Sequence, residues 1–234
     1  MGIQCLLPML KPITTAGHVE MFRGQRLAVD TYSWLHRSVY GSCIEIFRGA
    51  HYDPLTNKMQ GEVDIASSST QWLNYVLQYV DLLLYYEIEV YLVFDGAPLP
   101  AKRKTEEERE KTRAEALETG QRHLRDGNEQ LARQFLSRAI DITPRMAAKL
   151  IQVCKDSRPQ VKVVVAPYEA DAQLAYMSQQ GIVDAVVSED SDTIPFGCKN
   201  MIFKLEKDGF CQIVKNSDFS EKNISGFDLR GELD

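Results

Sequence analysis

The sequence predicts an α/β fold in which a parallel sheet is covered on both faces by helices, and three observations lead there. Short, β-branched apolar runs recur at residues 26–30 (RLAVD), 89–94 (EVYLVF), 161–165 (VKVVV) and 184–188 (DAVVS). Stretches with helical periodicity separate them, and strands that read as continuous apolar runs belong to a sheet buried on both sides. Three of the runs also end in, or lead into, acidic residues. In open parallel sheets the crevice beyond the carboxyl ends of the strands is where ligands bind.

Taken in order, RLAVD is the first such strand and closes on Asp30. Residues 51–69 are rich in Asp, Asn, Gly and Ser without a clear period and read as a surface loop with no chemistry assigned. EVYLVF is the next strand and delivers Asp95. The turn-like GAPLP at 96–100 follows, and then residues 102–125, so highly charged with a helical bias that they should project as one or two exposed helices. VKVVV leads into APYEADAQ, which carries Glu169 and Asp171. DAVVS leads into SEDSD, which carries Asp190 and Asp192. Residues 201–205 and 210–214 flank KDG at 207–209 as a hairpin. From residue 218 the chain is polar and is expected to be a loose tail, leaving 1–217 as a single core.

Composition narrows the function classes. The chain of 234 residues suits one large domain. Its net charge of −6 argues against the broad electropositive coat of a protein that holds nucleic acid by charge alone, so any such contact must be local. No apolar stretch approaches the roughly 18 residues that span a bilayer. The N-terminal apolar run is broken by Pro8, Lys11 and Pro12, and Leu6 stands where a myristoylation signal requires Ser or Thr. The expectation is no membrane segment and no secretory leader. Five scattered cysteines without C-x-x-C spacing read as reduced thiols, and four distant histidines offer no zinc site. A bound metal would have to be held by carboxylates.

Six acids form that candidate set: Asp30, Asp95, Glu169, Asp171, Asp190 and Asp192. Magnesium prefers hard oxygen ligands, and a two-metal phosphodiesterase needs several carboxylates around ions roughly 4 Å apart. Any one of these acids reads equally well as a helix cap or a solvated surface group. The conjunction is the argument, because four separate stretches place acids at the same sheet edge. Crowding so many like charges requires neutralising cations. Glu189 points to the other side of an extended segment, and Asp184 reads as a turn residue at the opposite end of its strand.

The residues also resemble a known family. The opening MGIQ-x-LLPxLKPI, AVDTYSWLHR at 28–37, LVFDGAPLPAKR at 92–103, VAPYEADAQLAY at 165–176 and VSEDSDTIPFGCK at 187–199 are similar to the exonuclease 1 branch of the flap endonuclease superfamily. That resemblance implies a PIN-like nuclease core with a central, mostly parallel sheet flanked by helices. It divides the core into an N-terminal nuclease region at 1–99, a helical arch at 100–137 that admits single-stranded 5′ DNA, and an internal nuclease region at 138–217. It implies two magnesium ions, replaceable by manganese, on the six carboxylates. Lys102 and Arg109 match the basic pair at the base of the arch, where fixed cations lower the barrier of a phosphodiester gathering negative charge. Read from the residues alone, Arg109 among its neighbouring glutamates is a solvated helix face.

Gly2 matches the family glycine through which backbone approaches DNA. Tyr32 and His36, one helical turn apart, lie on the helix that meets DNA in the family, where an aromatic ring can stack on a terminal base. Tyr32 also reads as a core residue.

The implied function is nuclear: metal-dependent hydrolysis of phosphodiesters near 5′ ends, flaps, nicks or gaps, in replication and in repair including mismatch repair. Departures from the family are Cys5 in place of Gly, the longer 53–69 segment, and Thr193, Ile194 and Pro195 in place of a leucine-rich run. The family's next segment, with a further metal-binding Asp and a helix-two-turn-helix that grips duplex DNA through potassium, is expected to be missing, with reduced activity. One other reading stands beside this one, a catalytically weak binding or regulatory fragment that keeps the fold; a PIN-like ribonuclease would fit Asp30 and Asp95 alone, but the arch motif and the length of the resemblance argue against it.

Overall fold

The computed structural model describes residue 3 and residues 6–49, 52–53, 58–59 and 70–219, with backbone alone at 48–49, 52–53 and 58–59. Two compact units are present, one from the described parts of Met1–Ser33, Gln78–Ala97 and Arg158–Asp234, the other from Trp34–Leu77 and Pro98–Ser157. The first unit holds a seven-stranded sheet. Its strands are β1 (Thr15–His18), β2 (Arg26–Asp30), β5 (Glu89–Phe94), β6 (Lys162–Val165), β7 (Ala185–Val187), β8 (Asn200–Phe203) and β9 (Phe210–Lys215), in the order β1-β9-β8-β7-β2-β5-β6.

The five strands from β8 to β6 run parallel, and β9 and β1 are antiparallel additions. All four apolar runs became strands, two of them with the boundaries read from the sequence. The hairpin also formed. It reverses through Lys204 (φ 51°) and Gly209 (φ 92°), the left-handed conformations that a tight reversal needs. β1 carried no apolar pattern and is a strand because β9 offers it an edge to pair with.

One face of the sheet is covered by helix α7 (Ala170–Gln179), whose Leu174, Ala175 and Met177 pack with Ala28, Val93, Val186, Met201 and Phe203. Side chains buried this fully each contribute about 1.5–3 kcal/mol for the larger residues. The described chain runs past the expected start of the tail, because a 3₁₀ turn at Asn216–Phe219 buries Phe219 in the same cluster. The rest of the expected tail, from residue 220, lies outside the described residues. At the amino edge of the sheet Arg26 grips Asp184 through its backbone N–H at 2.8 Å and through Nε and Nη2 at 3.1 and 2.8 Å. Asp184 is therefore a structural residue, as its exclusion from the site requires.

The second unit is helical. It includes parts of α2 (Thr31–Gly49) and α3 (Gln71–Tyr85), and all of α4 (Arg103–Arg125), α5 (Glu129–Ala139) and α6 (Pro144–Ser157). A short helix α1 (Leu6–Met9) belongs to the first unit, and the ribbon β3 (Tyr52–Asp53) with β4 (Lys58–Met59) to the second. The rest of the expected 51–69 loop lies outside the described residues. The charged segment is a single 23-residue helix, exposed through its first half, that turns back at Gly127 into α5. Asn128 caps α5 by accepting the Leu131 N–H at 3.2 Å.

α4 and α5 come together over Gly120, where an added methyl group would stand 2.8 Å from Leu136 Cγ and Cδ2 and 3.0 Å from its backbone nitrogen. Alanine gains about 1 kcal/mol of helix propensity over glycine, while overpacking costs roughly 1–3 kcal/mol, so contact decides the sign. Gly120→Ala should lower the unfolding free energy by about 1 kcal/mol. In a Leu136→Ala background the same change should cost less or stabilise. Denaturant melts of the four proteins check this, and an equal loss in both backgrounds would show that the packing argument fails.

Candidate functional site

The carboxyl edge of the parallel strands gathers the acids. Asp30 ends β2 and is nearly buried at 7% exposure. Its Oδ2 accepts the Ser188 hydroxyl proton at 2.9 Å, and its Oδ1 accepts the Ser33 N–H at 3.3 Å. Asp95 follows β5, and its Oδ1 accepts the Ala170 N–H at 2.7 Å, capping α7 from across the sheet edge. Glu169 holds the N-cap position of α7 without capping it through its own side chain, and Asp171 lies in the first turn. Beyond β7, Asp190 Oδ1 accepts the Asp192 N–H at 3.0 Å, and the Ser188 oxygen accepts the Asp190 N–H at 2.9 Å.

These groups feel one another. Burial pushes the Asp30 carboxyl up to about 6, with Asp95 and Asp190 adding to the rise and the Ser188 and Ser33 hydrogen bonds opposing it. Asp171 is pushed up to about 7, first by burial and then by Asp30, Asp190, Asp95 and Asp192. Asp192 Oδ1 is buried with no hydrogen-bond partner, an arrangement that costs stability unless something else satisfies it.

The loops that carry the acids are clamped. Gly96 donates its N–H to Tyr168 O at 2.6 Å and Ala97 donates to Pro167 O at 3.1 Å. The backbones meet so closely that a Cβ on Gly96 would stand 1.9 Å from Ala166 O and 2.8 Å from Pro167 O. On the other side, Ile3 donates its N–H to Ser191 Oγ at 2.9 Å, tying the N-terminal segment to the Asp190–Asp192 loop.

The XPG N-terminal domain family matches residues 1–116, and the XPG I-region family matches residues 160–230. Exonuclease 1 of Oryza sativa subsp. japonica is 42% identical over 233 residues, covering 98% of this chain and 26% of that protein. Exodeoxyribonuclease 1 of Schizosaccharomyces pombe is 37% identical over 230 residues, covering 98% of this chain and 37% of that protein. The chain belongs to the exonuclease 1 branch of the flap endonuclease superfamily. It spans 26% and 37% of the length of those two relatives. In fold it is similar to the catalytic core of Rad2 in complex with DNA substrate, with TM-score 0.64 and 18% identity over 99% of this chain and 59% of that one. The Holliday junction-resolving enzyme GEN1 in complex with product DNA and Mg2+ superposes with TM-score 0.57 and 21% identity over 99% of this chain and 44% of that one.

Within this exonuclease 1-type core, Asp30, Asp95, Asp171, Asp190 and Asp192 share one electrostatic neighbourhood, with Glu169 at the adjoining helix cap. Tyr32 stands edge-on to Phe94, ring centroids 6.4 Å apart, at the end of β5. Gly2 lies outside the described residues. Lys102, Arg109 and His36 belong to the helical unit. Lys102 precedes α4, and Arg109 lies on its exposed half, 3.4 Å from Glu106. Burial lowers the His36 imidazole, partly offset by Asp141. Sequence reasoning missed Ser188, Ser191 and the Gly96 clamp. The seryl signal was present in SEDSD, where Ser188 opens the acidic run and Ser191 lies within it, but only the fold selects their partners.

Two measurements test this geometry. Gly96→Ala forces the clamped backbones apart and should cost at least about 2 kcal/mol of stability; a melting profile like wild type would contradict the close approach. Asp30 and Asp171 hold their protons more tightly folded than unfolded. The stability they contribute is whole below the ordinary carboxylate value of 3.8 and is lost as pH rises through about 6 to 7. Asp171→Asn removes a penalty on the order of a few kcal/mol against about 0.3–1 kcal/mol of helix-dipole benefit. In EDTA at pH 7.5 the variant should melt above wild type, and near pH 4 the two should converge. A variant that melts lower at pH 7.5 would mean the carboxylates do not repel as described.

Proposed function

We propose that the chain is the nuclease core of a 5′ structure-specific DNA nuclease, a 5′–3′ exonuclease or flap endonuclease that hydrolyses phosphodiesters near 5′ ends, flaps, nicks or gaps with divalent metal. The observation that carries the reading is the crowded carboxylate edge, with Asp30 and Asp171 raised first by burial and then by neighbouring acids, and Asp192 Oδ1 buried without a partner. Such an edge fits a hard divalent cation, which supplies both the missing partner and the missing positive charge. Among the described residues no three His, Cys, Asp or Glu side chains form a ready ion cage. The exonuclease 1 relatives, and the Rad2 and GEN1 cores in complex with DNA substrate and with product DNA and Mg2+, support the same class.

In this reading Asp30, Asp95, Glu169, Asp171, Asp190 and Asp192 hold two magnesium ions, some directly and some through water, and manganese substitutes. When bound, such ions activate a water and stabilise the leaving oxygen. The protein's share is to fix the carboxylates in place and to hold them in a partly dry edge where their charge is undiluted. Lys102 and Arg109, which align with the family's basic pair, meet charge that develops on the phosphate. Residues 100–137 serve as the arch, and Gly2, Tyr32 and His36 contact DNA. The protein works in the nucleus, in repair and replication.

The test is incubation of the purified chain with magnesium and labelled flap, nicked and blunt duplex DNA. Asp95→Asn keeps the acceptor that caps α7, and Asp190→Asn keeps the acceptor for Asp192, so both should fold while losing most cleavage. Wild-type rates in either would sink the assignment. Lys102→Ala and Arg109→Ala should lower the single-turnover rate at saturating DNA by about 10²–10³-fold each, as removing a transition-state donor does. If affinity alone falls, these two residues only position phosphate.

A further inference from the structure

We propose that Ser188 is a positioning residue that fixes the metal-facing geometry of Asp30 and Asp190 together; the inference rests on the metal reading above. Ser188 is buried at 2% exposure, just beyond the end of β7, where β7 lies beside β2. Its single hydroxyl joins both sides of the acidic edge. The Asp190 backbone N–H can only donate, so the Ser188 oxygen accepts it at 2.9 Å. The hydroxyl proton is thereby available to Asp30 Oδ2, also at 2.9 Å. With Asp30 ionised its carboxylate can only accept, so the hydroxyl proton goes to Asp30.

The bonds continue beyond Ser188. Asp190 Oδ1 receives the Asp192 N–H, and the Thr193 hydroxyl donates to Asp190 O at 2.9 Å. A chain of hydrogen bonds thus runs from the end of β2 through Ser188 to the backbone of the loop that presents Asp190 and Asp192. Among the described residues the Asp30 carboxylate has one other hydrogen bond, the longer one from Ser33 N–H at 3.3 Å. Carboxylates that repel would swing apart by rotation about their side-chain torsions. Ser188 spends one oxygen of Asp30 on orientation and pins the loop backbone at the same point, so the Asp30 carboxylate is held directly, and the backbone from which Asp190 turns, with its Oδ1 on the Asp192 N–H, is fixed beside it. Groups of this kind set the affinity and geometry of metal ligands without touching the ion, and their loss typically changes metal affinity or activity by about 10–100-fold.

The same network explains why serine, and not a larger polar residue, stands here. An amide would bring two donors and one acceptor to a place that needs one of each, leaving a buried hydrogen unsatisfied. Threonine retains the hydroxyl, and cysteine keeps the size with a much weaker donor.

The experiment follows thermal melting of the 234-residue chain during magnesium titration without DNA, beside single-turnover cleavage. Ser188→Ala should raise the magnesium concentration at half-maximal stabilisation by about 10–100-fold, with cleavage recovering at high magnesium. Ser188→Thr should return both to the wild-type range, and Ser188→Cys, the alternative removal should the alanine variant fail to fold, should fall between. A Ser188→Ala protein that melts lower in EDTA but keeps the wild-type magnesium midpoint would overturn the positioning role and leave the metal reading intact. A wild type with no magnesium-dependent stabilisation and no cleavage would overturn both.

Discussion

Repulsion among the carboxylates at one sheet edge is the constraint the first unit is organised around. Asp30, Asp95, Asp171, Asp190 and Asp192 come from three strand ends and one helix, and the partners that dominate the shift at Asp171, after burial, are other acids. At the opposite edge the situation reverses, because Asp184 is gripped by Arg26 and held below the usual carboxylate range, first by that hydrogen bond. One edge of the same sheet neutralises its acid internally, while the other concentrates negative charge. Structural acids are normally paired or exposed. An edge that is neither must be borne by the rest of the fold, or by a ligand.

The scaffold bears it by leaving the acids little freedom. The strands that carry them are central and apolar, with Leu27, Ala28, Val29, Leu92, Val93, Val186 and Val187 essentially buried. Beside the Ser188 hydroxyl on Asp30, the contacts that fix the acids are backbone contacts: Ala170 N–H on Asp95, Asp192 N–H on Asp190, and the Gly96 clamp that brings the APYEAD loop against the end of β5. Backbone donors cannot rotate away as side chains do, so the geometry persists when the charges push outward. Preorganisation of this kind lets a site act on developing charge without reorganising during the reaction.

Much of this was legible in the sequence, for identifiable reasons. A parallel strand buried on both faces must be apolar along its whole length, so RLAVD and EVYLVF marked β2 and β5 with their boundaries, and the rule that ligands gather beyond strand carboxyl ends pointed to Asp30, Asp95, Asp190 and Asp192. What escaped is what depends on distant approach. Thr15–His18 has no strand pattern and exists because β9 has an open edge. Gly96 reads as a turn residue, yet its importance is the carbonyl of Ala166 arriving at its missing Cβ. Ser188 is one hydroxyl in an acidic run until the fold sets Asp30 beside it. Phe219 looks like part of a polar tail until it is seen in the core.

The helical unit raises the opposite question, how a cation surrounded by acids can remain available to phosphate. Arg109 lies 3.4 Å from Glu106, but Glu106 is the shared partner of Arg113 at 2.8 Å, and Arg113 is the first cause that holds the glutamate below its ordinary range. Arg113 is also the more buried cation of the two, at 23% against 49% side-chain exposure, and it reaches Asp141 as well. Exposed pairs on a helix surface contribute only about 0.2–1 kcal/mol. Releasing Arg109 therefore costs little, and Glu106 does not lose its partner when Arg109 leaves. A phosphate dianion or diester that gains a charge-assisted bond from Arg109 more than offsets that loss. The glutamates around Arg109 thus keep the helix near-neutral without locking up a side chain that the proposed function, with Lys102, assigns to chemistry.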